Sequence, residues 1–148
     1  MREILFRGRG IEPRYWYEGE LINTKGFIPP YMPMILEPDE KSDGRAYDVD
    51  PCTVGQFTGL LDLNGKKVFE GDILKIAKRS DSGGGYYHPP IDYPVNVVVK
   101  WDHCGWMWET LCEDKRYIGF PEAWGHYLCE VIGNIFDSQE LVRGTAYE

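Results

Sequence analysis

The stretch "PVNVVVKWDHCGWMWETL", Pro94 to Leu111, constrains the fold most, because its apolar residues recur at every second position on both sides of a short break. Val95, Val97, Val99 and Trp101 fall on one face of an extended chain, and Trp106 and Trp108 share a face in the next segment. The turn from Asp102 to Gly105 is short enough to demand an antiparallel pair, which predicts cross-strand contact between Trp101 and the later tryptophans. Nowhere do apolar residues recur at helical spacing over three turns, and no internal repeat is found. The 5 Trp, 10 Tyr and 6 Phe fit pleated, half-buried surfaces better than helix faces. The 17 Gly and 10 Pro require many turns.

Further strands follow from the same alternation. "REILFRGRG" reads as an opening strand with Ile4 and Phe6 on one face, and "RYWYEGELI" (Arg14 to Ile22) as a second strand or a hairpin bent at Gly19. The segment 27–48 is rich in Pro and acidic residues, which keeps it out of the middle of a sheet, and reads as a long surface excursion, partly extended. "KVFEGDILKIAK" predicts a strand in which Leu74 and Ile76 face opposite to Ile73. The glycines of "SDSGGGYYHPP" then predict a loop over 79–92. "HYLCEVIGNIF" is the last strand, bulged at Gly133, and "DSQEL" a short helical turn.

A chain of 148 residues, 43% apolar and 27% charged, fits a single domain over 1–148 and is too apolar for disorder throughout. The expected fold class is mainly β: a small, curved antiparallel barrel, SH3-like in strand order, with its core at about 60–136 and the N-terminal strands around it. No secretory leader and no apolar run of membrane-spanning length is seen, so the expected location is the cytoplasm, with the four cysteines reduced.

Formal charge is −8, and the deficit of basic residues is greatest after residue 78. Nucleic-acid backbones are bound by clustered Lys and Arg, so this balance makes nucleic acid an unfavoured partner. A basic patch remains near Arg2, Arg7, Arg9 and Arg14. It reads first as solvated edge-strand charge that discourages aggregation.

The densest run of chemically capable residues is "VDPCTVGQFTGLLDLNGKKVFEGDIL", Val49 to Leu74. Asp50 before Pro51, with capping-box spacing from Thr53 to Gln56, predicts one helical turn at 51–56 ended by Gly55 and Gly59. Asn64-Gly65 predicts a two-residue type I′ hairpin turn, and Gly71-Asp72 a sharp entry into the next strand. An EF-hand reading from Asp62 fails, because Lys66 stands where the loop needs an oxygen ligand. Glu70 and Asp72, two apart in a strand, could share a face and do acid–base work. Surface carboxylates without a catalytic role are far commoner.

Other chemistry is sought without a match. No G-x-S-x-G, H-E-x-x-H, P-loop or dinucleotide fingerprint is present. His103, Cys104, Cys112, His126 and Cys129 include zinc-ligand types but no C-x-x-C, and buried thiols filling core gaps are the better reading. No metal and no cofactor is expected. Trp101, Trp106 and Trp108 could form a platform for stacking bases, as in sheet-based single-strand binders. Rings filling a small core are the commoner use of such residues.

Three pieces of the sequence resemble the YopX family of phage and prophage proteins: the opening "MREILFRG", the central stretch quoted above, and "CEVIGNIFDSQEL". The central motif is matched at Thr53, Gly55, Gln56, Thr58, Gly59, Asp62, Asn64, Gly65, Glu70, Gly71 and Asp72. The resemblance implies a small, mostly β protein of phage or prophage origin acting in the bacterial cytoplasm. It carries over no catalytic residue. The expectation is a non-enzymatic accessory or interaction module, a homo-oligomer that binds a phage or host protein, with two alternatives: single-strand nucleic-acid binding through the Trp strands, and an enzyme using Glu70 or Asp72.

Overall fold

The computed structural model describes residues 3–22, 32–39, 42–78, 94–102, 105–111, 117–119, 125 and 127–143. The chain is mainly β, with two antiparallel sheets, and it divides into two compact units, Met1–Gly59 and Leu60–Glu148.

In the first unit β1 (Phe6–Arg9), β2 (Trp16–Ile22), β3 (Met34–Asp39), β4 (Ser42–Asp48) and the start of β5 (Gly55–Leu61) hydrogen-bond in the order β4-β3-β2-β1-β5. The opening strand is therefore internal, pairing Arg7 with Glu18 of β2 and with Gly55 of β5. This corrects the edge-strand reading of the basic patch. Arg7 is buried, and its guanidinium lies over the Trp16 ring, 4.9 Å from its centre, so it is not a solvated surface charge.

The Pro-rich segment also departs from expectation. From Met34 onward it forms the β3–β4 hairpin, with Ile35 opposite Tyr47 and Leu36 opposite Ala46. Pro38 is tolerated because the register slips between Glu37 and Asp39, the place where a residue with no N–H costs the ladder least. Gly19 does not bend β2, which runs unbroken. A Cβ at Gly19 would collide with the Leu36 carbonyl, so glycine serves the close approach of β3. Tyr17 and Tyr47 stack on the same face with ring centres 4.0 Å apart and planes 5° from parallel.

A 3-10 turn, Pro51–Thr53, follows β4. It is shorter than the predicted 51–56 because Gly55 and Gln56 already belong to β5, where they pair with Arg7 and Phe6.

In the second unit the end of β5 pairs with β6 (Lys67–Phe69), and β7 (Asp72–Lys78), β8 (Val95–Asp102), β9 (Gly105–Thr110), β10 (Tyr117–Gly119) and β11 (Tyr127–Asn134) form a sheet ordered β10-β9-β8-β7-β11. Its core is Val68, Leu74, Ile76, Val97, Val99, Trp106, Trp108, Tyr127 and Cys129. The alternation in β8 and β9 places Val97, Val99, Trp106 and Trp108 there together. Ile73, opposite in phase, is also buried, so β7 is covered on both faces. β11 carries the expected bulge: its register against β7 shifts between Val131 and Gly133. Helix α1 (Gln139–Arg143) closes the described chain.

The sheet order is open, and no closed barrel is found among the described residues. The predicted loop over 79–92 and the zinc-ligand types His103, Cys104, Cys112 and His126 lie outside the described residues.

Candidate functional site

The motif residues act first on the backbone. Asp50 Oδ1 accepts the Cys52 N–H at 2.9 Å, capping the 3-10 turn. Thr53 Oγ1 donates to the Asp50 carbonyl at 2.7 Å and accepts the Arg9 N–H at 2.9 Å, tying the turn to β1. The Asp50 N–H reciprocates to the Arg9 carbonyl at 2.8 Å. One threonine thus satisfies a donor 44 residues away. Gln56 is half-buried in β5, and Thr58 is buried.

The hairpin tip differs from the expected turn. Gly65 N–H bonds to the Asp62 carbonyl at 3.0 Å, and Asp62 N–H to the Lys66 carbonyl at 2.8 Å. Leu63 and Asn64 are therefore the central pair, and Gly65, at φ +79°, is the following left-handed residue. This is a three-residue loop with a glycine bulge, not a two-residue I′ turn. The extra residue frees the Asp62 side chain for three backbone donors. Its Oδ1 accepts the N–H of Asn64 at 2.9 Å and of Lys66 at 2.8 Å, while Oδ2 accepts the N–H of Val131 in β11 at 3.0 Å.

Glu70 and Asp72 do not form a pair of carboxylates on one strand face. The chain breaks at Gly71, whose φ of +86° separates β6 from β7, so Glu70 lies in the turn and only Asp72 begins a strand. Asp72 is 1% exposed and its Oδ2 accepts the Phe69 N–H at 2.8 Å. Such an arrangement closes a turn and leaves that oxygen no room to meet a substrate.

The tryptophans separate in the same way. Trp108 is fully buried, and its ring meets Tyr127 edge-to-face at 5.8 Å. Trp106 is 6% exposed and Trp101 50%. The expected cross-strand contact is present, since Trp101 pairs with Trp106 and their rings meet at 4.9 Å and 80°. A base can stack only on an open ring face, and Trp108 has none. The three rings are one exposed tryptophan on top of a core pair.

A cleft of about 180 Å³ lies beside the hairpin tip, between Leu61, Asp62 and Leu63 on one side and Tyr127, Leu128 and Cys129 on the other. Three of its lining residues, Leu61, Leu63 and Leu128, are large apolar side chains left exposed. Two ionisable groups of its lining, Cys129 and Asp62, are shifted away from neutrality in opposite senses. Burial, and secondarily the Asp62 charge, push the Cys129 thiol up to about 12, so no thiolate is available near neutral pH. For Asp62 the largest single influence is burial, which favours the protonated form, but the three backbone donors and Lys66 together outweigh it and hold the carboxyl below its ordinary range. A thiol pushed up and a carboxyl pushed down are both moved away from the near-neutral range that suits a general acid or base.

Among the described residues no group of three His, Cys, Asp or Glu side chains is placed to hold a metal ion. Cys52 is an exposed free thiol and Cys129 a buried one. No helix among them is long and apolar enough to cross a membrane.

A family model described as YopX protein matches residues 6–143. The chain belongs to the YopX family. The match runs from β1 into α1, taking in both compact units of this YopX chain. No curated protein matches it.

Sequence reasoning had no local signal for the Asp62–Val131 bond, which joins residues 69 apart. The exposed leucines had a faint one: "LLDLNG" keeps apolar residues on both sides of an Asp at a hairpin tip, where polar residues are usual.

Proposed function

We propose that this YopX protein is a non-enzymatic protein-interaction module. The observation that carries this reading is the contrast at the hairpin tip: Asp62 is fully engaged by backbone donors, whereas Leu61, Leu63 and Leu128 stand exposed around the cleft. Clustered exposed leucines on a folded surface are characteristic of a contact with another protein. The enzyme reading loses support because Asp72 serves the Phe69 N–H and Glu70 sits apart from it in a turn. Base stacking on the Trp strands loses support because Trp108 is enclosed.

Phage or prophage origin and action in the bacterial cytoplasm rest on the family resemblance. The partner is then a phage or host protein or a second copy of the chain. The bulge in β11 supports an SH3-like curvature for the second unit's sheet, since a bulge increases local twist and bends its strand.

The test is affinity capture from extracts of the bacterial host, with the wild-type chain compared to a Leu61→Ser, Leu63→Ser, Leu128→Ser variant. A partner held by wild type and lost by the variant, whose circular dichroism is unchanged, supports the reading. Equal capture by both chains removes the leucine cluster as the contact.

A further inference from the structure

The polar side chains of the central motif are engaged in main-chain clasps: Thr53 ties the 3-10 turn to β1, and Asp62 ties the hairpin tip to β11. A cluster outside that motif, within the first unit, has no such task. Tyr15, just before β2, and Tyr17 within it are two apart in extended chain and fall on one face. Tyr15 is 67% exposed, and Tyr17 is half-buried in its stack with Tyr47 of β4. Glu37 of β3 is the fourth member. Burial first, then Tyr47, Glu37 and Tyr15, pushes the Tyr17 hydroxyl up, so the three phenols and the carboxylate share one neighbourhood. Among the described residues no Lys or Arg forms an ion pair with Glu37, although Arg45 lies opposite it in register. Its Oε1 turns the other way, towards β2, to accept the Glu18 N–H at a long 3.4 Å. Most of the acceptor capacity of that carboxylate stays open.

We propose that Tyr15, Tyr17, Tyr47 and Glu37 form a binding site for the guanidinium of an arginine side chain on a partner protein. The choice of cation comes from the ring geometry. Tyr17 and Tyr47 lie 5° from parallel with centres 4.0 Å apart, too close to admit any group between them. They cannot box a round ammonium or methylated ammonium, which is held by rings facing it from several sides. A planar guanidinium instead adds a layer to exposed tyrosine faces, and its N–H fork matches the two oxygens of a carboxylate such as Glu37. The ammonium of lysine, a compact and strongly hydrated point charge, gains from the charge alone. The first unit already holds one guanidinium over a ring, Arg7 over Trp16 on the other face of β2. The choice of a protein over a free amino acid rests on the interaction-module reading. The site itself does not depend on the leucine cleft, which belongs to the second unit and takes an apolar contact.

The experiment follows the tyrosine ring resonances of the full chain by NMR at constant ionic strength as N-acetyl-arginine amide, N-acetyl-lysine amide, tetramethylammonium or free arginine is added. The expected result is a saturable shift of the Tyr17 and Tyr47 rings with the arginine amide, and roughly fivefold weaker binding of the lysine amide and of tetramethylammonium. Glu37→Gln should weaken the arginine amide by about fivefold. Glu20→Gln, which removes the same charge from the opposite face of β2, should leave its binding unchanged. Tyr47→Leu should also weaken it, with circular dichroism unchanged; if that variant does not fold, Glu37→Gln at a half-exposed side chain decides the matter. The proposal is overturned by no saturable shift with the arginine amide, by equal affinity for the lysine amide, or by tighter binding of tetramethylammonium. An equal loss in Glu37→Gln and Glu20→Gln also overturns it, since that would mark attraction to the net negative charge. Free arginine binding more tightly than its amide would make the amino acid the ligand and overturns the choice of partner. None of these outcomes involves Leu61, Leu63 or Leu128, so a failure here and a failure of the leucine contact are told apart.

Discussion

In the second unit nine described side chains, two of them Trp, form one buried cluster across β6, β7, β8, β9 and β11. In the first unit the buried apolar side chains among the described residues are Ile35, Val49 and Phe57, and the strands approach through glycines and a stacked tyrosine pair. The second unit is stabilised by volume that is present, the first by volume that is absent. Removing atoms should therefore harm the second most, and adding atoms the first.

Trp108→Ala tests the first half of that contrast with the largest expected effect. Truncating a fully buried aromatic costs about 3–5 kcal/mol, read as a lower denaturant midpoint. A loss below about 1 kcal/mol would mean the cluster is not what holds this sheet. Gly19→Ala tests the other half. Its methyl meets the Leu36 carbonyl, a backbone atom that cannot rotate away, and overpacking of this kind costs about 1–3 kcal/mol. Gly105→Ala, with nothing near its Cβ position, is the control that should change little.

The clasps extend the contrast, because each unit has one. Asp62→Ala strands three backbone donors and should cost about 1–3 kcal/mol. Its pH dependence has a defined sign. The folded-state pKa lies below the unfolded one, so the contribution is fully present above about pH 4 and is lost as pH falls through the folded value. Unfolding midpoints taken from about pH 6 down to about pH 2 should fall more steeply for wild type than for Asp62→Ala. In the first unit Thr53→Ala removes one acceptor and one donor and should cost about 1 kcal/mol with no acid dependence of its own. Apart from the Gly105→Ala control, a loss as small as that of Thr53→Ala is expected for Trp101→Ala. Half-exposed, that ring contributes its edge contact with Trp106, about 0.5–1.5 kcal/mol.

The readings that agreed with the structure came from local causes. Alternation in β8 and β9 set the core face. Asp50-Pro51 produced a capped turn, and Gly133 a bulge, each through constraints acting within a few residues. The hairpin at Asn64-Gly65 was legible as a hairpin but not in its type, since a glycine at 65 can fill a left-handed position in either loop and the hydrogen bond from Gly65 to Asp62 decides between them. The β3–β4 hairpin was not legible because a Pro- and acid-rich composition argues against internal strands, whereas a register shift beside Pro38 accommodates its ring. Arg7 was misread because its strand was assigned to an edge, and strand order is not a property of the strand.

For the candidate site the division is sharper. Residue order alone was enough to place a hairpin at Asn64-Gly65, to make the chain β-rich, and to give Asp50, Gly71 and Asp72 of the central motif main-chain roles. Three features came only with the folded chain: Asp62 also reaches Val131, Glu70 and Asp72 part company at Gly71, and Leu61, Leu63 and Leu128 gather at one cleft. Backbone conformation is set by neighbours a few residues away and can be read from them. Which strand comes to lie beside a hairpin tip depends on how the whole sheet folds, and no residue between Asp62 and Val131 encodes that alone.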